Sequence, residues 1–311
     1  MTGSARTIWA FTVGVSAMFS FYWVCVRFLL TPMKKKHGWS EQATSFLSLA
    51  VLYLPGLLFL WLMIADLPPI PFSPPGMAWG DCLLVFIAQF FSLALMAAVS
   101  ALEGRVRGKG MDASAKKQLY QKPYDYLHLL VLVPLMEELL TRGLLGERLA
   151  GAGAPTFLFL SALIFSLIHL QTGRLSVPIG MFWNGLLWAW VYWASGSLWM
   201  SVLFHGLYNL LATCLPEYLQ RRRSEKAMSV YMAVLLLAGT AGAVMVLTQP
   251  ARFSGGAGPA QWLEAAGEVL SNPGLWLLAA VCAGSYLLNR RGAAPRTSGA
   301  LPAEEGPPQG R

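Results

Sequence analysis

The stretch VLVPLMEELLTRGLL, residues 131–145, sets two glutamates and an arginine among residues that otherwise favour lipid. Glu138 and Arg142 stand at i and i+4, so on a helix they share a face and can pair, which lowers the burial cost of both. Glu137 lies about 100° further round, with no partner in its own helix. A carboxylate left in that position is available to take up and release a proton, the work of a general base or acid. Further along, FLFLSALIFSLIHLQTG places Phe165 and His169 one turn apart, and SLWMSVLFHGLYNLLA does the same for His205 and Asn209. Polar side chains in membrane helices turn inward. Helices meeting in a bundle would therefore bring Glu137, His169, His205 and Asn209 to a common cavity. Each feature has a plainer use: a histidine or an asparagine can join two helices by a hydrogen bond, and the Glu138–Arg142 pair can be structural. Their concurrence in neighbouring segments is what points to a site.

The elements that must position these groups are membrane helices. The chain is 56% hydrophobic and 12% charged, against roughly 25% charged in soluble domains. Apolar runs of about the length that crosses a bilayer fall near 7–30, 44–65, 80–102, 125–146, 155–170, 177–195, 197–214, 229–248 and 273–289. The expected fold is all-α, a polytopic transmembrane helical bundle of 8–9 spans with a four-helix catalytic core. Net charge is +8, and its basic residues cluster at 31–43, 103–123, 215–228 and the C-terminal tail, whereas 66–79 and 249–272 hold only Arg252 between them. Under the positive-inside rule, nine spans with the N-terminus outside put every basic cluster, and the C-terminus, in the cytoplasm. The charge then reports topology and implies no nucleic-acid partner; the partners expected are the lipid bilayer and a membrane-anchored protein. The first span lacks a basic region and small-residue cleavage site before it and reads as uncleaved.

Four stretches follow: scaffold spans and a basic cytoplasmic loop over 1–123, a core over 124–214, closing spans over 215–289, and a disordered basic tail over 290–311. The loop LPPIPFSPPG at 67–76 reads as stiff and extended because proline removes helical donors. The basic stretch 103–123 reads either as lying along the anionic leaflet or as a solvated loop. Cys25, Cys82, Cys214 and Cys282 fall singly in separate spans and suggest neither a disulfide framework nor a zinc site. Trp183, Asn184 and Trp188 on the sixth span could line the cavity, though lipid-facing packing is the expectation for such aromatics.

The ordered trio EELLTR (137–142), FSLIH (165–169) and HGLYN (205–209) resembles the pattern EExxxR, FxxxH, HxxxN/D of the CPBP intramembrane proteases, a family that includes CAAX prenyl endopeptidases and bacteriocin-processing or immunity-associated proteins. Thr141 departs from the phenylalanine that many members carry before the arginine. The resemblance covers about 124–214. It implies that Glu137, aided by His169, activates a water, that His205 and Asn209 bind the oxyanion, and that Glu138 and Arg142 form a structural ion pair. No cofactor is required by that mechanism. Zinc held by Glu137, His169 and His205 is the alternative, although asparagine is an unusual ligand and no HExxH pair shares a helix.

The function expected is an intramembrane endopeptidase cutting a membrane-anchored or lipidated protein near its C-terminus. The competing readings are a proton-coupled transporter, with Pro178 and Gly180 as helix-breaking candidates, and a non-catalytic immunity or scaffold membrane protein. The alanine-, glycine- and arginine-rich tail suggests a GC-rich bacterial genome, hence the bacterial inner (plasma) membrane, where prenylated substrates are unexpected.

Overall fold

The computed structural model describes residues 3–107, 123–222 and 225–292. It is a helical bundle without strands among the described residues. The bulk of the basic stretch 103–123 and of the tail 290–311 lies outside those residues.

Helix α1 runs Gly3–His37 and ends on Gly38 in the left-handed region. Ser40 then caps α2, Glu41–Ile64, accepting from the Ala43 amide at 3.1 Å. The third apolar run is two helices, α3 (Trp79–Ala88) and α4 (Phe91–Arg107), with a break at Gln89 and Phe90. Helix α5 runs continuously through 123–149, α6 is Ala154–Ile168 followed by the 3-10 turn His169–Thr172, and α7 is Ser176–Ser195. Helix α8 is Leu198–Gln220 and α9 is Glu225–Leu247; α10 (Pro259–Leu270) meets α11 (Pro273–Gly292) at a bend of 67°.

Six helices are long and apolar enough to cross a membrane, or seven if the α10–α11 pair is one span. Helices α5 and α7 are not among them. Buried charges lower the hydropathy of α5, and four tryptophans with an asparagine lower that of α7. Both nevertheless pack inside the bundle, α7 against α6 and α4, and α5 against α8. The protein is an integral membrane protein whose outward-facing residues, such as Leu54 on α2 and Leu237 on α9, are apolar and exposed to lipid.

Alternation of the helices defines two ends. At one end Asn272 Nδ2 donates to the Ala5 carbonyl at 2.9 Å, Arg6 pairs with Asp66, and Arg252 pairs with Asp81. The proline-rich strap belongs to this end and is non-helical, as its sequence predicts: the Ile70 amide donates to the Glu147 carbonyl at 2.9 Å, and the Gly76 amide to that of Ala194 at 3.0 Å. Exposed Trp9, Trp61, Trp79, Trp199 and Trp276 all fall near this end, an aromatic belt at one interface. Lys34, Lys35, Lys36, Arg105 and Arg222 lie at the other.

Close helix contact depends on small residues. A Cβ on Gly206 of α8 would come within 2.6 Å of the Leu130 carbonyl of α5. Gly206→Ala is therefore expected to cost about 1–3 kcal/mol through overpacking. Because His205 precedes it, activity should fall by more than the thermal shift of the purified protein accounts for.

Candidate active site

Helix α5 is not uniform. Regular segments alternate with π-helical turns at His128–Leu132 and Leu139–Leu144, so the segment Val133–Glu138 that carries both glutamates is flanked by wide turns on either side. A third π turn, Leu210–Cys214, follows Asn209 in α8. Such turns take one residue out of the α ladder and recur at functional sites.

The Glu138–Arg142 pair forms as the spacing predicts: Arg142 Nη1 lies 3.2 Å from Glu138 Oε1, and both side chains are fully buried. Arg142 does more than neutralise. Its Nη2 donates to the Gly185 carbonyl of α7 at 2.8 Å, its Nη1 to Thr141 Oγ1 at 2.6 Å, and its guanidinium sits 4.8 Å over the Phe165 ring of α6. Thr141 Oγ1 in turn donates to the Glu137 carbonyl at 2.7 Å. The one departure from the family pattern is thus a bridge between the arginine and the backbone of Glu137. A buried ion is stabilised by its remaining hydrogen bonds, and here those of Nη1 and Nη2 tie α5 to α7, while Arg142 Nε and Glu138 Oε2 are buried without a partner among the described residues.

Glu138 also accepts from His205 Nδ1 at 3.0 Å. That fixes which ring nitrogen is turned elsewhere: His205 Nε2 lies 3.8 Å from Glu137 Oε2, beyond hydrogen-bond reach. Glu137 Oε2 is buried without a hydrogen-bond partner among the described residues. His169 is placed by the end of α6. Its Nδ1 is 2.7 Å from the Phe165 carbonyl, and because a carbonyl only accepts, Nδ1 carries the proton and Nε2 is left with a lone pair. Asn209 Nδ2 donates to the Leu129 carbonyl of the first π turn of α5 at 3.0 Å. One amide hydrogen of Asn209 is therefore used in holding α8 to α5, and one remains.

All four residues line one cavity of about 260 Å³, together with Leu93, Met96, Leu129, Val133, Met181, Tyr208, Ala212 and Thr213. Glu137 and Asn209 lie near the middle of their helices and His205 somewhat nearer the belt end, whereas His169 and Met181 lie toward the basic ends of α6 and α7. The first three spans are not mere scaffold, since Leu93 and Met96 come from α4.

Trp188 corrects the expectation of lipid-facing packing. It is fully buried, its indole stacks on the His205 ring at 4.2 Å and 20°, and its Nε1 donates to Gln89 Oε1 at 3.0 Å. Asn184 is likewise fully buried, and Trp183, half-buried, donates to the Ala88 carbonyl at 2.8 Å. Gln89, which bonds the Trp188 indole stacked on His205, is the residue that sequence reasoning missed, although a glutamine in the middle of VFIAQFFSLA was a readable signal. Trp188→Phe keeps a ring against His205 and loses the bond to Gln89. We expect kcat to fall about tenfold with KM nearly unchanged, given that small misplacements of a catalytic group are expensive.

As they stand, no three His, Cys, Asp or Glu side chains among the described residues converge to hold one metal ion. The zinc reading of Glu137, His169 and His205 does not fit this arrangement, and no step is routed through a metal.

No curated protein and no solved structure matches the chain. Residues 120–211 match the family model described as type II CAAX prenyl endopeptidase Rce1-like. The matched residues take in all of the glutamates, histidines and asparagine that meet at the cavity, so the segment that builds this site is similar to the Rce1-like family of CAAX endopeptidases, in agreement with the motif resemblance.

Proposed function

We propose that the protein hydrolyses a peptide bond of a membrane-anchored or lipidated protein, near its C-terminus, with Glu137 as the general base. The observation that carries this reading is the gathering of Glu137, His169, His205 and Asn209 on one cavity inside a membrane bundle. Glu137 Oε2, the carboxylate oxygen without a partner, takes a proton from water, and His169 Nε2 holds that water as an acceptor. The hydroxide adds to the scissile carbonyl. Its oxyanion is received by the free amide hydrogen of Asn209 and by the His205 ring, which Glu138 orients through Nδ1. Collapse breaks the C–N bond, and the proton held on Glu137 passes to the leaving amine. Glu138 and Arg142 act through position, holding His205 and α7. No cofactor enters.

The basic ends and the tryptophan belt support an orientation with the N-terminus outside and the C-terminus in the cytoplasm, in a bacterial plasma membrane. On that orientation the cavity reaches from mid-bilayer toward the cytoplasmic ends of α6 and α7, and the substrate's cut segment enters from that side.

The test compares new N- and C-termini among membrane proteins of cells carrying the native chain or Glu137→Gln at equal abundance. Termini lost only with the variant identify the substrate and the bond. Identical termini, with a phenotype that still depends on the protein, overturn the peptidase reading in favour of a transporter or scaffold.

A further inference from the structure

Tyr208 lines the cavity, and its hydroxyl reaches a second polar cluster built by the α3–α4 break, α7 and α8. Gln89, Ser92, Asn184 and Trp188 are each fully buried there, and Tyr208 is 4% exposed. Hydrogen bookkeeping shows what the cluster lacks. Ser92 Oγ donates to the Gln89 carbonyl at 2.8 Å, so in its 2.9 Å contact with Tyr208 the tyrosine is the donor, and the lone pairs of Tyr208 Oη face the Asn184 amide. Gln89 Oε1 is used by Trp188, but Gln89 Nε2 has no partner. Asn184 has no hydrogen bond of full geometry: its amide interacts with the Tyr208 hydroxyl, and its Oδ1 is buried without a partner.

Asn184 is aimed at this gap. One turn before it on α7, a Cβ on Gly180 would meet the Ser92 carbonyl at 3.0 Å; one turn after it, Trp188 bonds to Gln89. Asn184 therefore faces the space between Ser92 and Gln89, beside the Tyr208 hydroxyl. Unpaired buried amides are costly, and a membrane interior offers no solvent to relieve them. The unpaired Gln89 Nε2 and Asn184 Oδ1, beside an Asn184 amide and a Tyr208 hydroxyl too loosely apposed to satisfy one another, are what a buried water needs, since such waters take 2–4 polar partners.

We propose that Gln89, Asn184 and Tyr208 hold ordered water, and that this site supplies the catalytic cavity past Tyr208. The supply role rests on the peptidase reading; the water site does not. Each peptide bond cut consumes one water, whose oxygen enters the new carboxyl group and whose hydrogens end on the new carboxyl and amine. A cavity within the bilayer must have that water replaced every turnover, and a retained water one side chain away shortens the replacement.

Radiolytic footprinting with X-ray pulses tests the site on the full chain in lipid nanodiscs, because hydroxyl radicals born from a bound water mark adjacent buried side chains. Mixing with H2¹⁸O just before the pulse reports how fast that water exchanges. The expected result is label on Tyr208 and Trp188 despite their burial, with ¹⁸O appearing more slowly than at exposed Tyr218. Asn184→Leu should lose that label, and Asn184→Ser, which restores a polar group and room, should keep it. Where Asn184→Leu does not accumulate as folded protein, Gln89→Met removes Nε2 at similar length and should also lose it. Unlabelled Tyr208 and Trp188 in the native chain overturn the site, and label that persists in both Asn184→Leu and Gln89→Met overturns its assignment to these residues. Loss of label with kcat unchanged overturns the supply role alone, as does native protein that is labelled but cuts no peptide bond. In that last case the peptidase reading has failed and the water site stands.

Discussion

Glu137→Gln should lower the rate of peptide-bond hydrolysis by about 10³-fold, within the range that a positioned general base contributes, while the protein keeps its stability. The second half of that expectation is what makes the first informative. Glutamine matches glutamate in shape, and Glu137 Oε2 has no hydrogen bond to lose, so removal of the charge leaves no orphaned partner. Thermal unfolding of the purified variant should stay within about 1 kcal/mol of native, the size of one ordinary hydrogen bond. Hydrolysis is measured on a membrane-anchored reporter in nanodiscs, with substrate above KM so that kcat is read. Retention of more than a tenth of native activity would remove Glu137 from the mechanism.

The neighbouring carboxylate should behave in the opposite way. Arg142→Met leaves Glu138 as a fully buried charge that has lost its counter-ion, and breaking a buried pair in this manner costs about 3–5 kcal/mol. The Gly185 carbonyl and Thr141 hydroxyl lose a donor in the same step. Removing both charges, as Glu138→Leu with Arg142→Met, should recover most of that loss because apolar pairs often replace buried ion pairs without penalty. Activity should not recover with it, since His205 Nδ1 has then lost the acceptor that orients its ring. Thermal melts and turnover on the two variants give the answer. A double variant that regains activity along with stability would reduce Glu138 to a structural ion and detach it from His205.

These two glutamates show how much of the site could be read in the sequence. Their division of labour followed from the i, i+4 spacing of Glu138 and Arg142, and the cavity gathers Glu137, His169, His205 and Asn209 as inward-turning polar groups should. The surroundings were much less legible. Hydropathy separates apolar from polar, but inside a membrane both the lipid face and the bundle core are apolar, so Trp188 on His205 looked the same in sequence as a tryptophan on lipid. Helical periodicity assumes an unbroken α ladder. It therefore passed over the α3–α4 break that delivers Gln89 and the π turns that bracket Val133–Glu138, both of which depend on tertiary contacts. The hydrogen bond of Asn209 is of that kind: its acceptor is the Leu129 carbonyl within a π turn, eighty residues away in the chain. The runs read at 125–146 and 177–195 are the helices α5 and α7, although charges in one and tryptophans in the other keep both below the hydropathy of the remaining spans.

The proline-rich strap bears on motion. It stitches the end of α5 through Glu147 to the end of α7 through Ala194, and both stitches lie at the belt end, while the cavity begins near mid-depth and reaches toward the opposite end. Helices joined at one end behave like tongs: they can spread only by pivoting about the joint, and the displacement grows with distance from it. A substrate segment would then be admitted by a parting of α5 and α7 that is widest at the basic surface and vanishes at the tryptophan belt. A crosslink placed near the belt would leave that movement untouched, and the same crosslink near the basic end would arrest it.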